Sequence, residues 1–189
     1  MRKQLQIALW FTLLTTVIFG IAYPLAVTGL AELLFPRQAN GSMFEGGTSS
    51  GSRLIGQPFS SPAYFHPRPS GAGSGYDPMA SGGSNLAPTN HQLADRVAAD
   101  VARLEAENPG APVPIDLVTA SASGLDPDLS PAAAQFQIPR VAKSRGIARE
   151  DLRRLVDAHT TPRQFTILGE PRVNVLELNR ALDAAFPRH

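Results

Sequence analysis

Few residues in this 189-residue chain are spaced for chemistry. Gly71-Ala72-Gly73-Ser74-Gly75 comes nearest to a phosphate loop. Such a loop needs a strand before it and a helix after it, or the G-K-[ST] ending that grips phosphate and magnesium; neither is present. Asp126-Pro127-Asp128-Leu129-Ser130 begins like a calcium loop. Its sixth and twelfth positions, which must be Gly and a bidentate Glu, are Pro131 and Gln137. Asp128 and Ser130 read better as acceptors for the free N–H groups of a helix start. His66, His91, His159 and His189 lack metal-ligand spacing, and no G-x-S-x-G elbow or S-x-x-K pair occurs. With no cysteine, thiolate catalysis, disulfides and Cys-ligated metals are excluded. These patterns predict no catalytic group, no metal and no cofactor of the chain's own.

A second kind of pattern stands out. Tyr64-Phe65-His66-Pro67-Arg68-Pro69-Ser70 packs aromatics, a guanidinium and fixed-φ prolines into one stretch. These types are enriched at protein interfaces, and proline pre-organises such a surface. Two readings fit Tyr64 and Phe65, as core residues or as part of a partner surface. Ser81-Gly82-Gly83-Ser84-Asn85 and Pro88-Thr89-Asn90 form polar, tightly turning segments suited to backbone-level contacts or to bracing the next helix. Tyr64, Phe65, His66, Arg68, Ser84, Asn85 and Asn90 are therefore the candidate interface residues. The basic run Arg140, Lys143, Arg145, Arg149, Arg153 and Arg154 is interleaved with Glu150 and Asp151 and has no stacking aromatics. It reads as a solvated helix face, and with a net charge of +1 no nucleic-acid partner is expected.

The elements that must position these groups begin with a membrane segment. Between Lys3 and Glu32 no charged residue occurs. The run Gln4–Ala31 would reach ~42 Å as a helix, more than a bilayer core of about 30 Å requires. A lone span in lipid must satisfy its own backbone and so must be helical. A cleaved signal peptide would have an apolar core of only about 7–15 residues. Pro24 predicts a lost hydrogen bond and a bend. Arg2 and Lys3 set the N-terminus in the cytoplasm by the positive-inside bias, and everything after Phe35 is expected outside it. Ala8, Thr12, Thr15, Thr16 and Gly20 lie near one helix face, which suits either close helix–helix approach in lipid or threonines bonding their own helix.

Beyond the anchor (residues 1–36), residues 37–52 read as a flexible tether and 53–189 as one mixed α+β extracytoplasmic domain. Arg53–Pro88 predicts irregular structure with short strands. Thr89 and Gln92 fit a capping box, followed by an apolar stripe of Leu93, Val97, Val101 and Leu104 and a stop at Asn108-Pro109-Gly110. Val113–Ala120 predicts a strand. Ser130-Pro131 opens a helical stretch interrupted at Pro139, with Gly146 as its C-terminal signal. Glu150–Ala158 predicts a helix, Arg172–Val173 a strand, and Asn174 with Glu177 a cap for a last helix whose Leu178, Leu182 and Phe186 face inward.

Together these segments resemble one family, the C subunit of the Kdp potassium-transporting P-type ATPase. The motifs that carry the resemblance are the N-terminal span with Tyr23-Pro24, Leu54-Ile55-Gly56-Gln57, Tyr64–Ser70, Ser81–Leu86, Gly124–Pro127 with Ser130–Ala133, Arg140–Ala142 and Gly169–Leu176. The resemblance implies a non-catalytic, single-pass inner-membrane subunit. Its expected partners are the channel-like potassium-translocating A subunit, the catalytic B subunit, a small F subunit and the bilayer. ATP, magnesium and potassium would belong to the complex. The resemblance also implies a role in raising the B subunit's ATP affinity. The predicted sidedness places the exported domain across the membrane from ATP, so that effect is expected as coupling through the assembly. The alternative is direct nucleotide binding by the exported domain around Gly71–Gly75.

Overall fold

A computed structural model describes residues 1–44 and 50–187. The chain divides into two compact units, Met1–Met43 and Phe44–His189. The boundary falls inside the predicted tether, of which residues 45–49 lie outside the described residues.

The first unit is built around one long helical run, Arg2–Leu34, whose 33 residues are apolar enough to cross a bilayer. It comprises α1 (Arg2–Thr15), a π-helical stretch (Thr16–Ala22) and α2 (Tyr23–Leu34). The π register ends where Pro24 begins to act. In an α register the proline ring would meet the Gly20 carbonyl and supply it no N–H; instead the Tyr23 N–H reaches back five residues to the Ile18 carbonyl. The Pro24 signal thus appears as a change of helical register in the preceding turn. A four-residue helix, α3 (Pro36–Ala39), follows within the stretch expected to be a tether.

In the second unit, strands β1 (Met43–Phe44, its first residue shared with the anchor unit) and β2 (Gly51–Ser52) flank residues 45–49. Residues 53–88 contain no strand, only a 3₁₀ turn at Pro78–Ala80, which corrects the short strands expected there. The next helix, α4 (His91–Glu107), is capped by Asn90, whose side chain accepts from the Gln92 N–H at 2.8 Å. The cap is one residue later than the Thr89 capping box. Residues 113–120 do not form the predicted strand. Pro112 and Pro114 remove two donors from any ladder, and Ile115–Leu117 closes into a 3₁₀ turn instead. The turn aims the buried Asp116 at Ser130, accepting from its N–H at 2.8 Å and its hydroxyl at 3.1 Å.

The sheet is small and antiparallel. Strands β3 (Asp128–Leu129), β4 (Thr160–Thr161) and β5 (Arg172–Asn174) run in the order β3-β5-β4, with Leu129 and Thr160 both opposite Val173. Asp128 is therefore a strand residue whose carboxylate meets Asn174 and Arg172, not a helix cap. Helices α5 (Pro131–Arg145), α6 (Arg149–Ala158) and α7 (Val175–Ala185) pack around this sheet over a core that includes Val141, Leu152, Val156, Val173, Leu178 and Leu182.

Helix α5 is continuous through Pro139, contrary to the expected interruption. An interior proline costs about 3 kcal/mol. The residues on either side of it, Phe136, Ile138 and Val141, are all buried, and each such side chain contributes about 1.5–3 kcal/mol. Packing outweighs the lost bond.

Ser130 has two roles, capping α5 through the Ala133 N–H at 3.1 Å and donating to Asp116. Ser130→Ala is expected to lower stability by about 1–3 kcal/mol, read as a lower urea midpoint at an unchanged slope.

Candidate functional site

The predicted interface motif is entered from a turn, in which the Tyr64 N–H bonds the Ser61 carbonyl at 3.1 Å, and residues 63–66 form a partly buried strap. Phe65 is fully enclosed and Tyr64 half-buried. Backbone with no strand beside it leaves its N–H and C=O groups in need of partners, and side chains from two helices supply them. The Asn179 amide of α7 accepts from the Phe65 N–H and donates to the Phe65 carbonyl, both at 2.9 Å. The Gln137 amide of α5 does the same for His66, at 2.8 and 3.0 Å. Two arginines of α5 take the carbonyls of residues 62–64. Arg140 donates to those of Pro62 (2.7 Å) and Tyr64 (2.8 Å), and Arg145 to that of Ala63 (2.7 Å).

Acidic residues hold both guanidiniums in turn. Glu107 meets Arg140 at 2.7 Å, and Asp183 meets Arg145 at 2.6 Å while accepting from the Tyr64 hydroxyl at 2.8 Å. The Arg145 guanidinium also lies 4.8 Å above the Tyr64 ring centre. Side-chain exposure is only 12% for Arg140 and 3% for Arg145. The reading of these two as part of a solvated basic face is thereby corrected, because each guanidinium is drawn inward by strap carbonyls and held there by a carboxylate.

Further along the strap, Arg68 pairs with Asp126 at 2.9 Å. The Tyr76 hydroxyl donates to the Arg68 carbonyl. Burial, reinforced by the Asp126 carboxylate, pushes the Tyr76 hydroxyl pKa up and keeps it in the donating form. Ser70 donates to the Gly124 carbonyl at 2.6 Å. Gly124 has φ +67, and a Cβ there would lie 2.5 Å from the Ala72 nitrogen, so the approach requires glycine. A cleft of about 310 Å³ opens between His66, Arg68 and Tyr76 on one side and Asp100, Arg103 and Glu107 of α4 on the other. The Gly71–Gly75 loop leads into the Pro78–Ala80 turn, and the Asp77 carboxylate lies against Gly73, an unfavourable neighbour for a phosphate.

The other candidates are dispersed. Ser84 and Asn85 are exposed, with Asn85 in the left-handed region at φ 51, and Asn90 is occupied in capping α4. On the anchor helix, Ala8, Thr12, Thr16, Gly20 and Pro24 are exposed. The Thr15 hydroxyl bonds the Phe11 and Thr12 carbonyls of its own helix, at 2.8 and 3.0 Å.

A family model described as the c chain of a K+-transporting ATPase matches residues 5–184. The chain belongs to the KdpC family. Among curated relatives, the potassium-transporting ATPase KdpC subunit of Rhodospirillum rubrum is 57% identical over 190 residues, covering 99% of this chain and 98% of the relative. That of Acidobacterium capsulatum is 56% identical, covering 96% and 98%, and that of Koribacter versatilis 54%, covering 99% and 97%. The family match takes in both the membrane-length helix and the strap.

The residues that position the strap were missed from sequence, although two carried a signal. Asn179 falls on the inward stripe of α7 with Val175, Leu178 and Leu182, and Gln137 on that of α5 with Ala133, Ala134, Ile138 and Val141. A polar residue on a buried stripe needs a partner, and here it is backbone 71 or 114 residues away.

Asn179→Leu leaves the Phe65 N–H and carbonyl unpaired and is expected to cost about 2–6 kcal/mol in urea unfolding of the full chain. His66 supplies a pH test. Burial first, then Arg140 with a lesser contribution from Arg103, holds the ring below its ordinary 6.5; the Ser61 carbonyl and Glu107 pull the other way. The unfolded chain therefore takes the proton first. Stability carried by neutral His66 is complete above about pH 6.5 and is lost as pH falls through that value. In His66→Gln, the stability–pH curve should be flatter just below pH 6.5.

Proposed function

We propose that this chain is the non-catalytic accessory subunit of an ATP-driven, high-affinity potassium-uptake complex. It is held in the inner membrane by Arg2–Leu34, with its N-terminus cytoplasmic and the Phe44–His189 unit outside. The observation that carries the reading is the family match across residues 5–184, which takes in the membrane-length helix together with the folded unit. The expected companions are a channel-like potassium-translocating subunit, a catalytic P-type subunit and a small third subunit, with the anchor helix packing on the first.

The local chemistry supports an assembly role. Arg68, Tyr76, Arg140 and Arg145 are each engaged in shaping the fold. With the folded unit outside the cytoplasm, an influence on ATP affinity in the catalytic subunit is transmitted through the assembly. Such coupling is typically about 1–3 kcal/mol and reciprocal, so nucleotide bound to the complex should in turn tighten this subunit's association.

Two experiments test the reading. Removal of the folded unit with retention of the anchor should abolish high-affinity potassium uptake, whereas undiminished uptake would rule the assembly role out. The chain has no native cysteine, and Ser144 is exposed. Ser144→Cys should react with a membrane-impermeant thiol reagent in intact cells; protection until lysis would place the unit inside.

A further inference from the structure

The change of register before Pro24 leaves a backbone carbonyl of the membrane-length helix without a donor. In a helix a carbonyl is paired by the N–H four residues on, or five on in a π stretch. For Phe19 the first of these belongs to Tyr23, which is spent on the Ile18 carbonyl. The second is Pro24, which has no N–H. For Gly20 the fourth residue on is Pro24 itself, so only Leu25 can serve it. No side-chain donor among the described residues makes up the deficit. The Thr15 hydroxyl is turned back to the Phe11 and Thr12 carbonyls.

Depth makes the deficit costly. The helical run Arg2–Leu34 has its midpoint at Ile18, so at 1.5 Å per residue both carbonyls lie within about 3 Å of that level. The uncharged run 4–31 is centred there too. A bilayer core has no water at that depth to pair a carbonyl, and acyl chains carry no N–H or O–H.

The surroundings suit a neighbouring helix. Thr12, Thr16, Gly20 and Pro24 recur every four residues and are exposed. Apart from the helix's own backbone, a Cβ on Gly20 would meet only Thr16 Cγ2, at 3.7 Å. Such a row admits any close neighbour; the carbonyl specifies one that brings a hydrogen-bond donor to mid-membrane. An ammonium or guanidinium would bring a charge with it, at much greater cost. A parallel second copy of this chain does not fit, since its Thr16 would lie about 5 Å to the N-terminal side and its Thr15 hydroxyl is already engaged.

We infer that the Phe19 carbonyl, unscreened beside Gly20, accepts a hydrogen bond from a hydroxyl, amide or indole side chain on a transmembrane helix of the channel-like companion subunit. This rests on the assembly role proposed above and names the chemistry of the anchor's contact.

The Phe–Gly step occurs once in the chain, at 19–20. Carbonyl-13C phenylalanine combined with 15N glycine therefore isolates the Phe19 carbonyl in solid-state NMR. The full-length labelled chain in bilayers, compared with the same chain assembled with unlabelled companions, should show that signal move downfield on assembly. In Pro24→Ala, which restores an N–H and an α register, the carbonyl should be paired in both states and the move should vanish. An unchanged signal on assembly of the unsubstituted chain would overturn the inference. Gly20→Leu, covering the notch, should lower recovery of the co-purifying channel-like subunit about three- to twentyfold. Gly29→Leu, half a turn round the helix, should not. Undiminished recovery in Gly20→Leu, or an equal loss in Gly29→Leu, would overturn the notch and leave the assembly role standing. Failure of the unsubstituted chain to co-purify with any subunit would overturn the assembly role itself.

Discussion

Burial of backbone that has no neighbouring strand is the constraint on which the folded unit depends. Residues 63–66 run partly buried between α5 and α7, and each of their carbonyls has a hydrogen-bond partner. A buried backbone group left unpaired costs about 1–3 kcal/mol, so leaving the four carbonyls of residues 63–66 unpaired would cost about 4–12 kcal/mol, comparable with the net stability of an ordinary domain, about 5–15 kcal/mol. Asn179, Gln137, Arg140 and Arg145 do for the strap what a β-ladder does for a strand. They do it with side chains planted on two helices, and so they lock α5 and α7 in register with it.

Other features follow from that arrangement. With strands of only two or three residues, the sheet cannot organise the unit alone. Asn174 compensates at one end, since its side chain caps α7 through the Glu177 N–H and donates to both Asp128 and the Arg53 carbonyl. Burial disfavours the Asp128 carboxylate and raises its pKa, with Asp126 adding to the effect, while Asn174 and Arg172 oppose it. Helix α5 tolerates Pro139 for the same reason that it carries three strap-binding residues: its position is set by tertiary contacts, and local propensity is secondary.

Local signals were legible in the sequence where the physics is local. The membrane-length helix, the Ser130-Pro131 start of α5, the Gly146 stop at φ 67, the α6 span and the Asn174 cap all depend on neighbours within a few residues. The errors arise where a partner is remote. Residues 113–120 look like a strand until two prolines and the Asp116–Ser130 contact are weighed together. Arg140 and Arg145 look like a solvated face because nothing nearby in the chain announces the carbonyls of residues 62–64. The left-handed backbone of Phe165 and Thr166 has no local signal, because the few residues between the flanking turns carry no periodicity.

The strap points to a more general relation between composition and burial. Aromatics, arginine and proline mark interfaces because an interface must be apolar, pre-organised and still able to satisfy polar groups while excluding water. A core strap without regular structure meets the same three demands. Tyr64–Ser70 therefore carries an interface composition while much of its bonding capacity is spent inward, on Asn179, Gln137, Asp183, Asp126 and Gly124. What separates the two cases is whether the polar partners lie in the same chain, which composition cannot reveal and coordinates can. By that criterion the strap is a determinant of the fold.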